Sequence, residues 1–168
     1  MQIRYLGNWP YLASISLPDI DIYNSVTNTW TTSILNEPKA FFASIVDGNN
    51  IYWAGGYSSS GLSCEVEIRN PNTGATAVDY LFEPSYWTSS DGENAVLKDN
   101  KIVFFVRDVY PASENKFNIY DITTQNWSIG VLPVTIDMAS IISVNNTIYL
   151  AGSFIDGVYD PGVWKLEF

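Results

Sequence analysis

Among the 168 residues there is no histidine and a single cysteine, Cys64. The missing histidine removes the commonest general base, the Ser-His-Asp and Cys-His arrangements, and the usual ligands of zinc and copper. A lone cysteine can neither close an internal disulfide nor build a thiolate metal cluster. With no histidine to activate it, Cys64 reads as a small packing residue. Basic residues are scarce as well: 8 Lys and Arg against 18 Asp and Glu give a net charge of −10. A phosphate backbone is gripped by Lys and Arg, so nucleic acid and an anionic membrane surface are not expected partners. No apolar run approaches the ~18 residues of a spanning helix. The first residues, MQIRYLGNWPYLASISLP, lack the basic-then-apolar layout of a secretory signal. Charged residues make up only 15% of the chain, against a usual quarter or so, while hydrophobic residues make up 46%. That balance excludes a disordered tail and implies an aromatic-rich, well-buried core.

What the chain does have is repetition. IDIYNSVTNTW (20–30) returns as FNIYDITTQNW (117–127), each an alternating strand, a polar turn and a Trp. A degenerate third copy, EIRNPNTGAT (67–76), carries Thr76 where the others carry Trp30 and Trp127. The copies align at Asp21, Glu67 and Asn118, with spacings 67 − 21 = 46 and 118 − 67 = 51. Between them ASIVDGNNIYWAGG (43–56), NAVLKDNKIVFFVR (94–107) and ASIISVNNTIYLAGS (139–153) each place two apolar runs around a polar turn. Their second runs begin at Ile51, Ile102 and Ile148, again 51 and 46 apart. The turns hold Asp, Asn and Gly where positive φ is needed, and the flanks are rich in β-branched and aromatic residues. No segment sustains helical periodicity over three turns. The sequence therefore predicts an all-β chain of four-stranded antiparallel units of about fifty residues each.

NNIYWAGGYSSSGLSCEVEIRNPNTG (50–74), NTIYLAGSFIDG (146–157) and FNIYDITTQNW resemble the kelch family of β-propeller blades. The resemblance covers roughly residues 20–168 and implies kelch-like blades at 39–84, 86–134 and 136–168. The last blade is incomplete, and residues 1–38 hold the outer strands of a partial one. On that reading Gly55, Gly56 and Gly152 end second strands where blades crowd. Trp30, Trp127, Tyr23 and Tyr120 fill the wedges between blades. The second repeat departs from the pattern, with Val106-Arg107 at the Gly-Gly position. Three and a part repeats make about half to two-thirds of a ring. Self-association into a homodimer, or the remainder of a larger parent protein, is expected to complete it.

Function on such a scaffold sits in the variable loops. GYSSSGLSCE (56–65), RDVYPASENK (107–116) and SFIDGVYDPG (153–162) occupy one place in each repeat. They bring Tyr57, Arg107, Asp108, Tyr110, Phe154, Asp156, Tyr159 and Asp160 to one end as a candidate partner-binding face. Aromatics with a lone Arg suit the centre of a protein interface, although Ser, Gly, Asp and Pro are also ordinary turn formers. Asp156 and Asp160 do not recur at the spacing of a calcium loop, and no metal or cofactor is expected. Kelch-like copper-radical oxidases require histidine ligands, which this chain lacks. A sialic-acid site would want several arginines, and only Arg4, Arg69 and Arg107 exist. The leading expectation is a non-catalytic protein-interaction module whose protein partner is not named by the sequence. The alternative is a carbohydrate-binding or glycan-processing domain, suggested by 6 Trp and 11 Tyr that could stack on sugar rings.

Overall fold

The computed structural model describes residues 2–4, 18–82, 95–105, 115–134, 139–155 and 158–167; for 2–4 and 153–155 it describes the backbone alone. These residues form strands and no helix. None of them therefore forms a helix long and apolar enough to cross a membrane. Sheet I comprises β1 (Gln2–Arg4), β2 (Asp19–Asn24) and β3 (Thr29–Ile34) in that order. After β4 (Lys39–Ala40), sheet II contains β5 (Ala43–Asp47) and β6 (Asn50–Ala54). The chain then leaves it for a ribbon of β7 (Tyr57–Ser58) and β8 (Gly61–Leu62) that pairs with β4. It returns through β9 (Glu65–Arg69) and β10 (Thr76–Tyr80), giving the order β10-β9-β6-β5. Sheet III is a meander of β11 (Ala95–Lys98), β12 (Lys101–Phe105), β13 (Lys116–Asp121) and β14 (Asn126–Val131). Sheet IV comprises β15 (Ser140–Val144), β16 (Thr147–Ile155) and β17 (Val158–Leu166). All pairing is antiparallel.

The repeated sequence is repeated chemistry. Asn24, Asn70 and Asp121 each end a third strand, and their side-chain oxygens accept two backbone N–H groups from the turn that follows. Asn24 takes Val26 and Thr27 at 2.9 and 3.2 Å, Asn70 takes Asn72 and Thr73 at 3.0 and 3.2 Å, and Asp121 takes Thr123 and Thr124 at 3.0 and 2.9 Å. An Asx side chain there satisfies donors that a hairpin would leave in solvent, which is why both long copies read Tyr-(Asn/Asp). The left-handed residue closing each turn is Asn28, Gly74 or Gln125. The hairpins opening the blades have two central residues. Asn145-Asn146 has positive φ at both, as type I′ requires, while Gly48 and Asp99 supply the first position alone, as type II′ requires. A third recurrence closes each unit: Leu35, Leu81 and Leu132 donate their N–H to the carbonyls of Pro18, Cys64 and Asn115 at 2.7, 2.8 and 2.6 Å. The buried leucine after each outer strand is thereby tied to the residue before the third strand.

The four sheets stack in chain order with three cores between them. Alternation along each second strand sends one side chain backward and the next forward. Ile51 and Trp53 pack toward Ile20 and Leu35 of sheet I, while Tyr52 and Ala54 pack toward Ala95, Ile102 and Phe104 of sheet III. In turn Val103 and Phe105 face Ile141, Ile148 and Leu150 of sheet IV. The inner strands follow the same succession, β5 against β11 and β11 against β15. The result is blade-like and propeller-like in arrangement, and it is not closed. β1 takes the place next to the third strand that β6, β12 and β16 occupy elsewhere, so sheet I holds three strands rather than only an outer pair. β17 pairs with β16 alone among the described strands, and the two ends of the chain do not share a sheet. Truncating the wedge residue Phe104, which is 1% exposed, should cost about 3–5 kcal/mol in Phe104→Ala by urea unfolding. Val26→Ala at a 92%-exposed turn should stay within about 0.5 kcal/mol of the parent.

Candidate functional site

The connections between second and third strands share one end of the stack with the links between successive sheets, because strand direction alternates. At that end Tyr57 lies on β7 and Tyr159 near the start of β17, and both are exposed. The β7–β8 ribbon is carried on β4, with Lys39 and Ala40 opposite Ser58 and Tyr57. Gly56 permits this, since its φ is +106° and a Cβ there would lie 2.6 Å from the Ala40 carbonyl oxygen. Gly55 also has positive φ, at +67°. Gly152 has φ +67° at a register shift between Ala151 and Ser153, so it sits in a bulge inside β16 and the strand runs on to Ile155. Phe154 is cross-strand from Tyr159, and its backbone alone is described. Asp160 is committed locally: it accepts from Gly162 N and Trp164 Nε1, both at 2.9 Å. The Trp164 bond and then the Gly162 N–H hold its carboxyl below the usual range. Arg107, Asp108, Tyr110 and Asp156 lie outside the described residues.

At the same end, a buried ionic network joins sheets I and II. β9 reads Glu-Val-Glu-Ile-Arg, so Glu65, Glu67 and Arg69 all face sheet I while Val66 and Ile68 face sheet III. Glu67 is fully buried, accepts Asn36 N–H at 2.6 Å and has Arg69 Nε 3.6 Å from Oε1. Arg69 reaches on to the Ile34 carbonyl at 3.0 Å and to the Ser33 hydroxyl. Lys39, also fully buried, donates to the Glu65 carbonyl at 2.9 Å, with Glu65 Oε1 at 3.9 Å. Burial pushes the Lys39 amine below its ordinary pKa, against the upward pull of Glu65, Glu37 and Glu67. Glu37 binds the Ser63 hydroxyl beneath the ribbon. The chemical work of this cluster is to lock the β3–β5 link and the ribbon onto β9. Glu65 and Glu67 each face a cation and accept a hydrogen bond from Asn36 on one oxygen, while Glu65 Oε1, Glu67 Oε1 and Arg69 Nε are buried without a hydrogen bond. The charged alternation of EVEIR on a central strand was the signal for it in the sequence, and Lys39 had none.

The wedge aromatics divide. Trp127 packs against the II–III core with Tyr120 and donates to Asp79 Oδ2 at 2.8 Å. Burial raises the phenol pKa of Tyr120 and of Tyr52, whose ring lies 5.9 Å away. Trp30, expected in a wedge, is instead 59% exposed beside Tyr23, because no described sheet precedes sheet I. Trp53 is buried in the I–II core, and Trp9 and Trp87 lie outside the described residues. A cleft of about 620 Å³ opens along β5, lined by Phe42, Ser44, Val46, Ile51, Trp53 and Pro71 among others, with no titratable side chain in its described lining. Among the described residues no group of three or more His, Cys, Asp or Glu is placed to hold a metal. No family model matches the sequence, and no curated protein matches it.

Two measurements test these assignments. Glu67→Ala leaves Arg69 facing no carboxylate and should cost about 3–5 kcal/mol in urea unfolding, whereas Lys101→Ala, at a half-exposed pair with Asp121, should cost under about 1 kcal/mol. A carboxylate whose pKa is lowered on folding contributes stability above its unfolded value, and that contribution is lost as pH falls through the folded value. The urea midpoint should therefore fall on acidification below about pH 4, and less steeply in Asp160→Asn.

Proposed function

We propose that this chain is a non-catalytic protein-interaction module built of kelch-like propeller blades, which holds a protein partner at the end carrying the second-to-third-strand loops. The carrying observation is that Tyr57 and Tyr159 stand exposed at that end, Tyr57 on a ribbon paired to β4. An exposed tyrosine on a braced ribbon offers a large contact area at little entropic cost, which is what interface centres favour. The ionic lock beneath the ribbon supports this reading, since its fully buried members, Lys39 and Glu67, anchor the strand on which Tyr57 is carried. Arg107, Asp108, Tyr110, Phe154, Asp156 and Asp160 belong to the same proposed face through their place in the repeat. The resemblance of the repeats to kelch blades supports the scaffold half of the proposal, and fold by itself assigns no activity.

The carbohydrate-binding or glycan-processing alternative has one observation in its favour, the exposed Tyr23–Trp30 pair with ring centroids 5.0 Å apart. A photocrosslinking residue in place of Tyr57 or Tyr159 should capture the same protein from the native host extract. One in place of Val26, at the opposite end, should not. Equal capture from all three positions, or none from the first two, would overturn the loop-face reading. A tryptophan-fluorescence shift with members of a glycan panel would favour the alternative.

A further inference from the structure

The two outermost faces of the stack are the two halves of a contact the chain already makes internally. Between sheets II and III, Tyr52 on a second strand faces forward to Tyr120 on a third strand, with ring centroids 5.9 Å apart. Tyr120 leans on its cross-strand partner Trp127 at 4.8 Å. Tyr149 stands at the Tyr52 position of sheet IV, one residue after Ile148 as Tyr52 is one after Ile51, and it faces forward with no described sheet before it. Tyr23 and Trp30 stand at the Tyr120 and Trp127 positions of sheet I, cross-strand partners at 5.0 Å, and they face backward with no described sheet behind them. Around Tyr149 the same face exposes Ile142 at 58%, Val144 at 44% and Val163 at 67%. Around Tyr23 and Trp30 it exposes Ile34 at 60%. Contiguous apolar surface of this kind is normally covered.

We propose that a second copy of this chain covers it, head to tail, with the outer face of sheet IV in one copy receiving the Tyr23–Trp30 face of sheet I in the other. Two copies meeting at both ends form a closed pair. The proposal rests on the blade reading of the fold and is independent of the loop partner. The mode of contact follows from the internal repeat, in which forward faces meet backward faces at each of the three cores and like faces never meet. Charge points the same way. Asp19 and Asp21 share the exposed face with Tyr23, so sheet I against sheet I would oppose four carboxylates, whereas sheet IV carries Lys165 beside Tyr149 in an ion pair with Glu167 and so meets those carboxylates with a balanced pair. Two copies supply eight sheets (2 × 4), within the roughly four to eight blades of closed propellers. A head-to-tail contact closes only when the rotation between copies permits it, and a pair is the smallest closed solution.

The test is the mass of the full chain by light scattering over a dilution series, with Trp30→Asp on one face and Ile142→Asp on the other. Both positions are exposed, and circular dichroism of each variant checks that the β-sheet signal is kept. The parent should weigh twice the 18.8 kDa of one chain. Each variant alone should weigh one chain. An equimolar mixture should return to two chains, since the sheet I face left intact by Ile142→Asp can meet the sheet IV face left intact by Trp30→Asp. That pair should be roughly tenfold weaker or more, because one contact then stands where two had closed the ring. A misfolded variant could not rescue the other. The double variant Tyr57→Ser/Tyr159→Ser should keep the parent mass, so failure of the loop-face reading would leave this result untouched. A parent that stays at one chain throughout, association that survives both single variants, a mixture that does not recover, or growth beyond two chains would each overturn the closed pair. A one-chain parent whose fluorescence shifts with glycans would assign the Trp30 face to sugar instead.

Discussion

A blade of this chain has two faces that both need covering, and each face can be covered only by another blade. The second strands β6 and β12 demonstrate the constraint: in β12, Ile102 and Phe104 point one way while Val103 and Phe105 point the other, and all four are buried. A single such sheet would expose one apolar set or the other to water, at roughly 25 cal/mol for each Å² left uncovered. The unit of stability is therefore the wedge between two sheets, and the chain must repeat itself to make one. The remaining architecture serves that requirement. Asx turns and two-residue hairpins let four strands fold back within about fifty residues. The Leu35, Leu81 and Leu132 bonds set where one sheet stops and the next can begin.

The three wedges meet the same demand with different chemistry. Between sheets II and III the contact is aromatic, with Tyr52, Tyr120 and Trp127 in series and a Trp127–Asp79 bond at its margin. Between sheets I and II, third-strand positions that elsewhere hold Asn118 and Tyr120 hold Glu67 and Arg69, and the wedge becomes ionic at its loop end. The shared element is an acceptor on the third strand for the first free N–H of the inter-sheet link: Glu67 takes Asn36 and Asn118 takes Phe82 at 3.2 Å. Either side chain satisfies that donor. The carboxylate has a further cost, because a buried charge demands a counter-charge, and Arg69 and Lys39 are the answer. Apolar wedges tolerate sliding better than a lattice of directed bonds. The ionic version stands at the wedge where, among the described residues, the β7–β8 ribbon is carried.

Much of this was legible before any coordinates. The spacings 46 and 51, read from strand-turn-Trp copies, recur in the Asx residues and in the closing leucines, and 51 recurs between the third-strand acceptors Glu67 and Asn118, because one backbone solution underlies all of them. Side-chain partners that come from another repeat were not legible. EVEIR announces charge on a central strand, yet nothing local says that Lys39, in a two-residue strand 26 residues earlier, lies beneath it. The environment of Trp30 was illegible for a related reason: its sequence context is that of Trp127, and only the presence of a preceding sheet separates a wedge residue from an exposed one. Gly152 reads like Gly55, but the strand continues past it, because a bulge absorbs the left-handed residue without ending the pairing. Topology puts Tyr57 and Tyr159 at one end of the stack, and the partner there is left to experiment.

Exposing both halves of a self-complementary contact carries a hazard as well as an opportunity. A head-to-tail contact whose rotation does not close grows without limit, and an apolar end face meeting its complement on the next molecule is the usual route to fibres. The net charge of −10 works against such growth, since each added chain brings like charge to the assembly, and the effect weakens as salt screens it beyond about 10 Å. Closed pairing ends growth after one step by leaving no face uncovered. What decides between closure and growth is the angle between successive sheets, which is set by the side chains filling the wedges. Large residues such as Trp127 and Tyr120 open that angle, and smaller ones would narrow it. The aromatic content of the cores thus bears on assembly as directly as on stability, since it sets the curvature at which the last sheet presents itself to the first.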